Sequence, residues 1–295
     1  MMRESVFCLA AVMMIAAVGT IRANAQTPRR QVYVSFGQDE TVPAGSNDTG
    51  SSFVIGDEDI AYLDNLGTAD HSDNVAQFVL EDAGDDVLGV SINGDVLYWT
   101  VQNFSDFTFR GVTGGQADIF RVTDHGAGTV SLLLDGDTNP YFPDTGWIDG
   151  LSVLPDESGV YLSFWGFPKL GTNELRPHND DVVFFDLTTF EARMVFDYSE
   201  ENPGLTGGIL ALHVFSEDRM LVSGIFEDDI WLIEKGPSGQ WSRQLWADGE
   251  TFGFPADSVG MVAVAVVPEP SSLSLVLFGL AVLLPLGLIG RRRGR

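Results

Sequence analysis

Val87-Leu88-Gly89-Val90-Ser91-Ile92 returns as Ile148-Asp149-Gly150-Leu151-Ser152-Val153, as Ile209-Leu210-Ala211-Leu212-His213-Val214, and as Met261-Val262-Ala263-Val264-Ala265-Val266. The spacings are 61, 61 and 52 residues, and the third place always holds a small residue: Gly89, Gly150, Ala211, Ala263. Three further strand types follow each of the first three copies. The second is Val96–Thr100, Val160–Phe164 and Met220–Gly224. The third opens on aspartate: Asp118, Asp181 and Asp229. The fourth ends in an acid: Asp135, Asp197 and Asp248. Four short strands per unit of about 55 residues, punctuated by Gly, Asp, Asn and Pro, predict the blades of a β-propeller.

The N-terminal part of this region starts one strand late. Val32–Phe36 matches the second strand, Asp59-Ile60-Ala61-Tyr62 the third and Val75–Asp82 the fourth, while Met261–Val266 is a first strand with no blade behind it. Pairing Met261–Val266 with Val32–Phe36 closes a ring of four blades and removes an exposed sheet edge. The expected fold is therefore all-β: a four-bladed propeller-like ring closed by N- and C-terminal strands. The repeats run over about 32–86, 87–147, 148–208 and 209–260, with a closing strand at 261–267. A β-sandwich is the competing architecture. Small residues at the third place suit inner strands crowded at an axis.

The two ends read as addresses. Residues 1–25 have the form of a signal peptide: Arg3, an apolar run over Val6–Val18, and a small-x-small site at Ala23 and Ala25. The only cysteine, Cys8, lies inside it, so the exported chain has no disulfide and no thiol catalyst. Residues 273–289 are uncharged and almost wholly apolar, long enough for a transmembrane helix. Arg291, Arg292, Arg293 and Arg295 then act as a stop-transfer signal that stays cytoplasmic.

Val267-Pro268-Glu269-Pro270, an apolar helix and a terminal arginine cluster together resemble the PEP-CTERM sorting tail. The resemblance covers residues 267–295. It implies cleavage by an exosortase at the Pro268-Glu269-Pro270 motif, with signal peptidase acting at the other end. It further implies a membrane-anchored precursor, exported across the inner membrane and delivered to the cell surface or extracellular polymer. The region 26–267 is also similar to propeller-like regions of bacterial exported proteins, through Ser152-Val153-Leu154-Pro155-Asp156 and Asp180-Asp181-Val182. Neither resemblance implies an activity.

Charge excludes one class. The chain carries −26 overall, and residues 26–267 hold 40 acids against 10 bases, so nucleic acid is not a partner. The loops after strand types two and four are long, and on a repeat protein such loops commonly form the binding face. They hold Tyr141, Trp147, Trp165 and Asp180, aromatic and acidic groups of the kind that bind extracellular polysaccharide. The alternative is that the aromatics staple the loops to the blades.

Asp135-Gly136-Asp137-Thr138-Asn139 begins like a calcium loop, but Pro140 and Gly146 stand where an EF-hand needs Gly and Glu. An irregular Ca²⁺ site at Asp135, Asp137 and Asn139 is the residual metal reading; otherwise no cofactor is expected. The repeated aspartates are read as turn formers bonding backbone amides. His71, His125, His178 and His213 share no metal spacing, and no nucleophile elbow, phosphate loop or dinucleotide fingerprint occurs. His213, flanked by Leu212 and Val214, is read as a core histidine, with an axial site as the alternative.

The functional expectation is a non-enzymatic structural or binding module, with carbohydrate as the ligand class. The alternative is a secreted propeller hydrolase acting on polysaccharide or lactone with Ca²⁺.

Overall fold

In the repeat of strands, each blade begins near the axis and works outward. The chain forms β1 (Arg30–Phe36), β2 (Glu40–Pro43), β3 (Ser52–Ile55), β4 (Ile60–Leu66) and β5 (Val75–Leu80). Next come β6 (Val87–Asn93), β7 (Val96–Val101), β8 (Phe107–Phe109), β9 (Val112–Gly114), β10 (Ile119–Val122) and β11 (Val130–Leu134). The third unit is β12 (Trp147–Val153), β13 (Gly159–Trp165), β14 (Val182–Asp186) and β15 (Ala192–Phe196). One helical turn, α1 (Tyr198–Glu201), precedes β16 (Ile209–Ser216), β17 (Arg219–Gly224), β18 (Ile230–Lys235), β19 (Trp241–Ala247) and β20 (Met261–Val266).

This computed structural model describes residues 30–36, 40–43, 52–55, 59–66, 75–81, 83, 87–102, 106–124, 127–142, 147–205, 208–224, 229–249 and 261–266. The expected leader with Ala23 and Ala25, the Val267–Pro270 motif, the 273–289 segment and the terminal arginines lie outside them, as do His71 and His125. Among the described residues no helix is long and apolar enough to cross a membrane.

Four antiparallel sheets run β20-β1-β4-β5, β6-β7-β10-β11, β12-β13-β14-β15 and β16-β17-β18-β19. The arrangement is a four-bladed β-propeller. β20 pairs with β1 in the register Val32↔Val266, Tyr33↔Ala265, Val34↔Val264 and Ser35↔Ala263. The first blade is thus assembled from both ends of the described chain. The inner strands β6, β12, β16 and β20 pack on one another around the axis.

Adjacent blades bury sheet faces against each other, and the pleat decides which side chain goes where. Trp99 packs between blades one and two, stacked on Phe120 at 5.2 Å, with its Nε1 donating to the Ala83 carbonyl. Its neighbour Tyr98 points the other way, into the core shared by blades two and three. Burial on both faces is why the strands read as continuous apolar runs. Tyr161, Phe196, Leu212 and Trp241 fill the third such core.

The small third residue has a steric cause. A Cβ on Gly89 would meet Leu151 Cβ of the next blade at 2.8 Å, and one on Gly150 would meet Leu212 Cβ of the blade after it at 2.8 Å. A β-bulge accompanies each of these inner strands, skipping Asp149 on β12 and Leu210 on β16. Buried hydroxyls then cross the same boundary. Thr100 Oγ1 accepts from the Gly89 amide and donates to the Ile148 carbonyl, and Ser163 Oγ donates to the Ile209 carbonyl.

The repeated aspartates act as clips. Asp118 accepts from the amides of Gly115 and Gly136, Asp181 from those of His178 and Tyr198, and Asp229 from that of Gly249. Each joins the start of a third strand to the residue just beyond its fourth. Two stretches read as loop carry hairpins of their own, β2–β3 and β8–β9. In the second, Arg110 and Gly111 both take positive φ (47° and 84°), which suits the right-handed twist of a two-residue hairpin turn.

Candidate functional site

Chain direction puts the starts of β12 and β14 and the end of β13 at one end of blade three, where the long loops emerge. Trp147 and Trp165 are direct cross-strand partners there. Trp147 Nε1 donates to Gln116 Oε1 of blade two at 2.7 Å, which fixes the indole. Trp165 is 44 % exposed and Phe167, two residues on, is 69 % exposed. The loop folds back so that Asn179 Oδ1 accepts from the Gly166 amide, and the His178 ring meets Phe167 edge-on at 5.5 Å. Asp180 follows in the left-handed region at φ 76°.

Two carboxyl groups share this end. Asp149, the bulge residue of β12, is 4 % exposed. Burial, and then the charge of Asp180, push its carboxyl well above the usual carboxylate range. Asp180 is also raised, first by burial and then by Asp181, with the Ile209 amide opposing. Asp149 is thus enclosed in the blade with Asp180 beside it, at the end that carries the exposed aromatic edges.

The other candidates are placed apart. Tyr141 stacks on Phe190 at 5.6 Å, and its carbonyl accepts from the Gly171 amide. Phe190 lies in the β14–β15 turn, at the opposite end of blade three from Trp165. Tyr141 therefore holds a loop against the blade's side, and the neighbouring Phe142 is buried against Phe164 and Phe185. Asp135 Oδ1 accepts from the Thr138 amide and Asn139 Oδ1 from the Tyr141 amide, so both side chains shape the turn. Asp137 lies in the same turn, close to Gly115. Among the described residues no group of three or more His, Cys, Asp and Glu could hold a metal ion.

Asp149 was not among the expected site residues. Its signal lies in the repeat alignment, where the same place is Leu88, Leu210 and Val262 in the other copies. Gln116 has no such signal, since its role depends on Trp147 arriving from the next blade.

No protein-family model matches the chain, and no curated protein matches it. Among solved structures, similarity is found to a chain of a nidogen/laminin complex at 12% identity (TM-score 0.34), covering 74% of this chain and 61% of that one. An auxiliary nutrient binding protein from Bacteroides thetaiotaomicron is 13% identical, with TM-score 0.34 and coverage of 75% and 50%. The hemopexin fold protein CP4 from cow pea is 11% identical, with TM-score 0.40 and coverage of 72% and 95%. The chain thus spans about six-tenths and half the length of the first two.

Proposed function

We propose that this chain is an exported, exosortase-sorted protein whose propeller serves at the cell surface or in extracellular polymer as a non-enzymatic structural and carbohydrate-binding module. The observation that carries the binding reading is the exposed Trp165–Phe167 edge at the long-loop end, beside Trp147, Asp149 and Asp180. Neighbouring large apolar side chains left in water form the kind of patch that marks an interaction surface. A glycan array probed with residues 26–267, with and without Ca²⁺, tests it. Trp165→Ala should weaken the captured glycan about tenfold, the usual cost of removing an aromatic anchor. Retention of full binding by that variant overturns the reading.

Sorting rests on Val267-Pro268-Glu269-Pro270 and the arginine-rich end. Changing Pro268 and Glu269 to alanine should leave a full-length, membrane-held form, and a mature species of unchanged size on a gel would overturn it.

Asp149 supports a second reading, a hydrolase acting on polysaccharide or lactone. A carboxyl raised by burial beside a second acid is shifted in the direction a general acid needs. Release of reducing ends or opened lactone by the wild type, abolished in Asp149→Asn, would favour it over the binding module.

A further inference from the structure

At the end of the ring opposite Trp165, the inner strands β6, β12 and β16 terminate around a cavity of about 240 Å³. Its polar lining includes equivalent places in successive blades, Ser91, Ser152 and His213, together with Asn93, Tyr161 and Ser216. Ser91 Oγ accepts from the Val153 amide at 2.9 Å, and Ser152 Oγ accepts from the Val214 amide at 3.1 Å. Each hydroxyl is therefore held in place by the next blade and keeps its own hydrogen to donate. Asn93, also in the lining, spends its amide nitrogen on the carbonyls of Val153 and Leu154.

His213 breaks the serine pattern. Its Nδ1 is enclosed without a hydrogen-bond partner, which leaves Nε2 as the nitrogen a ligand can reach. Burial lowers the imidazole to about 4, so it is neutral at ordinary pH. An unsatisfied buried nitrogen costs stability that serine, as used in the two preceding blades, avoids. Phe215, half exposed, stands edge-on to the His213 ring at 4.8 Å and forms part of the rim.

The lining defines the ligand by exclusion. Among the described residues no Asp, Glu, Lys or Arg lines the cavity, and the Arg193–Glu217 pair that reaches the lining residue Tyr161 already neutralises itself, so an uncharged guest is favoured. A purely apolar guest would leave two hydroxyl hydrogens and an imidazole unpaired. The volume lies below the roughly 300–1,000 Å³ of sites for drug-sized ligands, which limits the guest to one small ring. We propose that this axial cavity is a second binding site, for an uncharged polyol of single-sugar size, held by Ser91, Ser152 and His213 and separate from the Trp165 edge.

The chain has four histidines, so the imidazole signals of histidine-labelled full-length protein are few, and His213→Ala identifies the one that matters. That signal should move saturably when D-glucose, D-galactose or glycerol is added. Ser152→Ala should weaken the response about fivefold, the effect of one lost hydrogen bond. Trp165→Ala should leave it unchanged, which keeps this site distinguishable from the long-loop reading. The proposal is overturned if none of the three probes moves the His213 signal, if Ser91→Ala and Ser152→Ala leave the response undiminished, or if Trp165→Ala abolishes it.

Discussion

Thr100 Oγ1 donates to the Ile148 carbonyl at 2.9 Å, joining the second strand of one blade to the first strand of the next. The same hydroxyl accepts from the Gly89 amide at 2.8 Å, so two buried backbone groups depend on it. Ser163 repeats the link to Ile209 at 2.8 Å, whereas Ser35, at the equivalent place in blade one, is buried with no partner for its hydroxyl. Thr100→Val should cost about 2–3 kcal/mol and Ser163→Ala about 1–2 kcal/mol, because partners are orphaned in a dry interface. Ser35→Ala should be neutral or stabilising. Denaturant unfolding of the three variants checks the order, and an equal cost at Ser35 and Thr100 would show that the bonds are not what matters.

Gly150→Ala should destabilise by about 1–3 kcal/mol. Its Cβ would collide with Ser163 Oγ and come within 2.8 Å of Leu212 Cβ, so the inner strands must separate. Gly94→Ala is the informative contrast, since nothing lies within 4 Å of that position and only its φ of 62° resists a side chain. Melting temperatures that fall more for Gly94→Ala than for Gly150→Ala would refute crowding at the axis.

Asp149 is raised in the folded state by burial and by Asp180, so the native protein holds this proton more tightly than the unfolded chain. The carboxyl's contribution to stability is fully present below the unfolded value and is lost as pH rises through the folded one. Asp149→Asn removes the charge without changing shape, and should stabilise by about 1–2 kcal/mol at pH 7 and by nearly nothing near pH 3. Unfolding at both pH values checks it; a gain of the same size at pH 3 would mean that ionisation is not the cause.

Removal of 261–266 should lower the melting temperature by about 10 °C or more. β20 is the inner strand of blade one and pairs with β1 from Val32↔Val266 to Phe36↔Met261. Without it, β1 presents an unpaired edge at the axis, and aggregation on heating should increase. A truncated chain that melts like the intact one would mean that the ring holds without this strand.

Sequence alone determined the strand order and the blade count. Both follow from local alternation repeated at 61, 61 and 52 residues, and the repeat also pointed to a late second-strand start that β20 completes. The turn-forming role of Asp118 and Asp181 was legible too, since it depends on residues nearby in the chain or at a fixed repeat offset. What each side chain meets across a blade boundary was decided by the tertiary structure. Tyr141 and Trp165 are both loop aromatics in sequence and both remain half exposed, yet one stacks on Phe190 while the other ends a strand as the cross-strand partner of Trp147. Asp149 and His213 differ from their repeat equivalents by one letter each, but the shifts of both groups come from burial, to which the charge of Asp180 adds at Asp149. Strand periodicity is a property of neighbouring residues, whereas burial of a charge is set by everything packed around it.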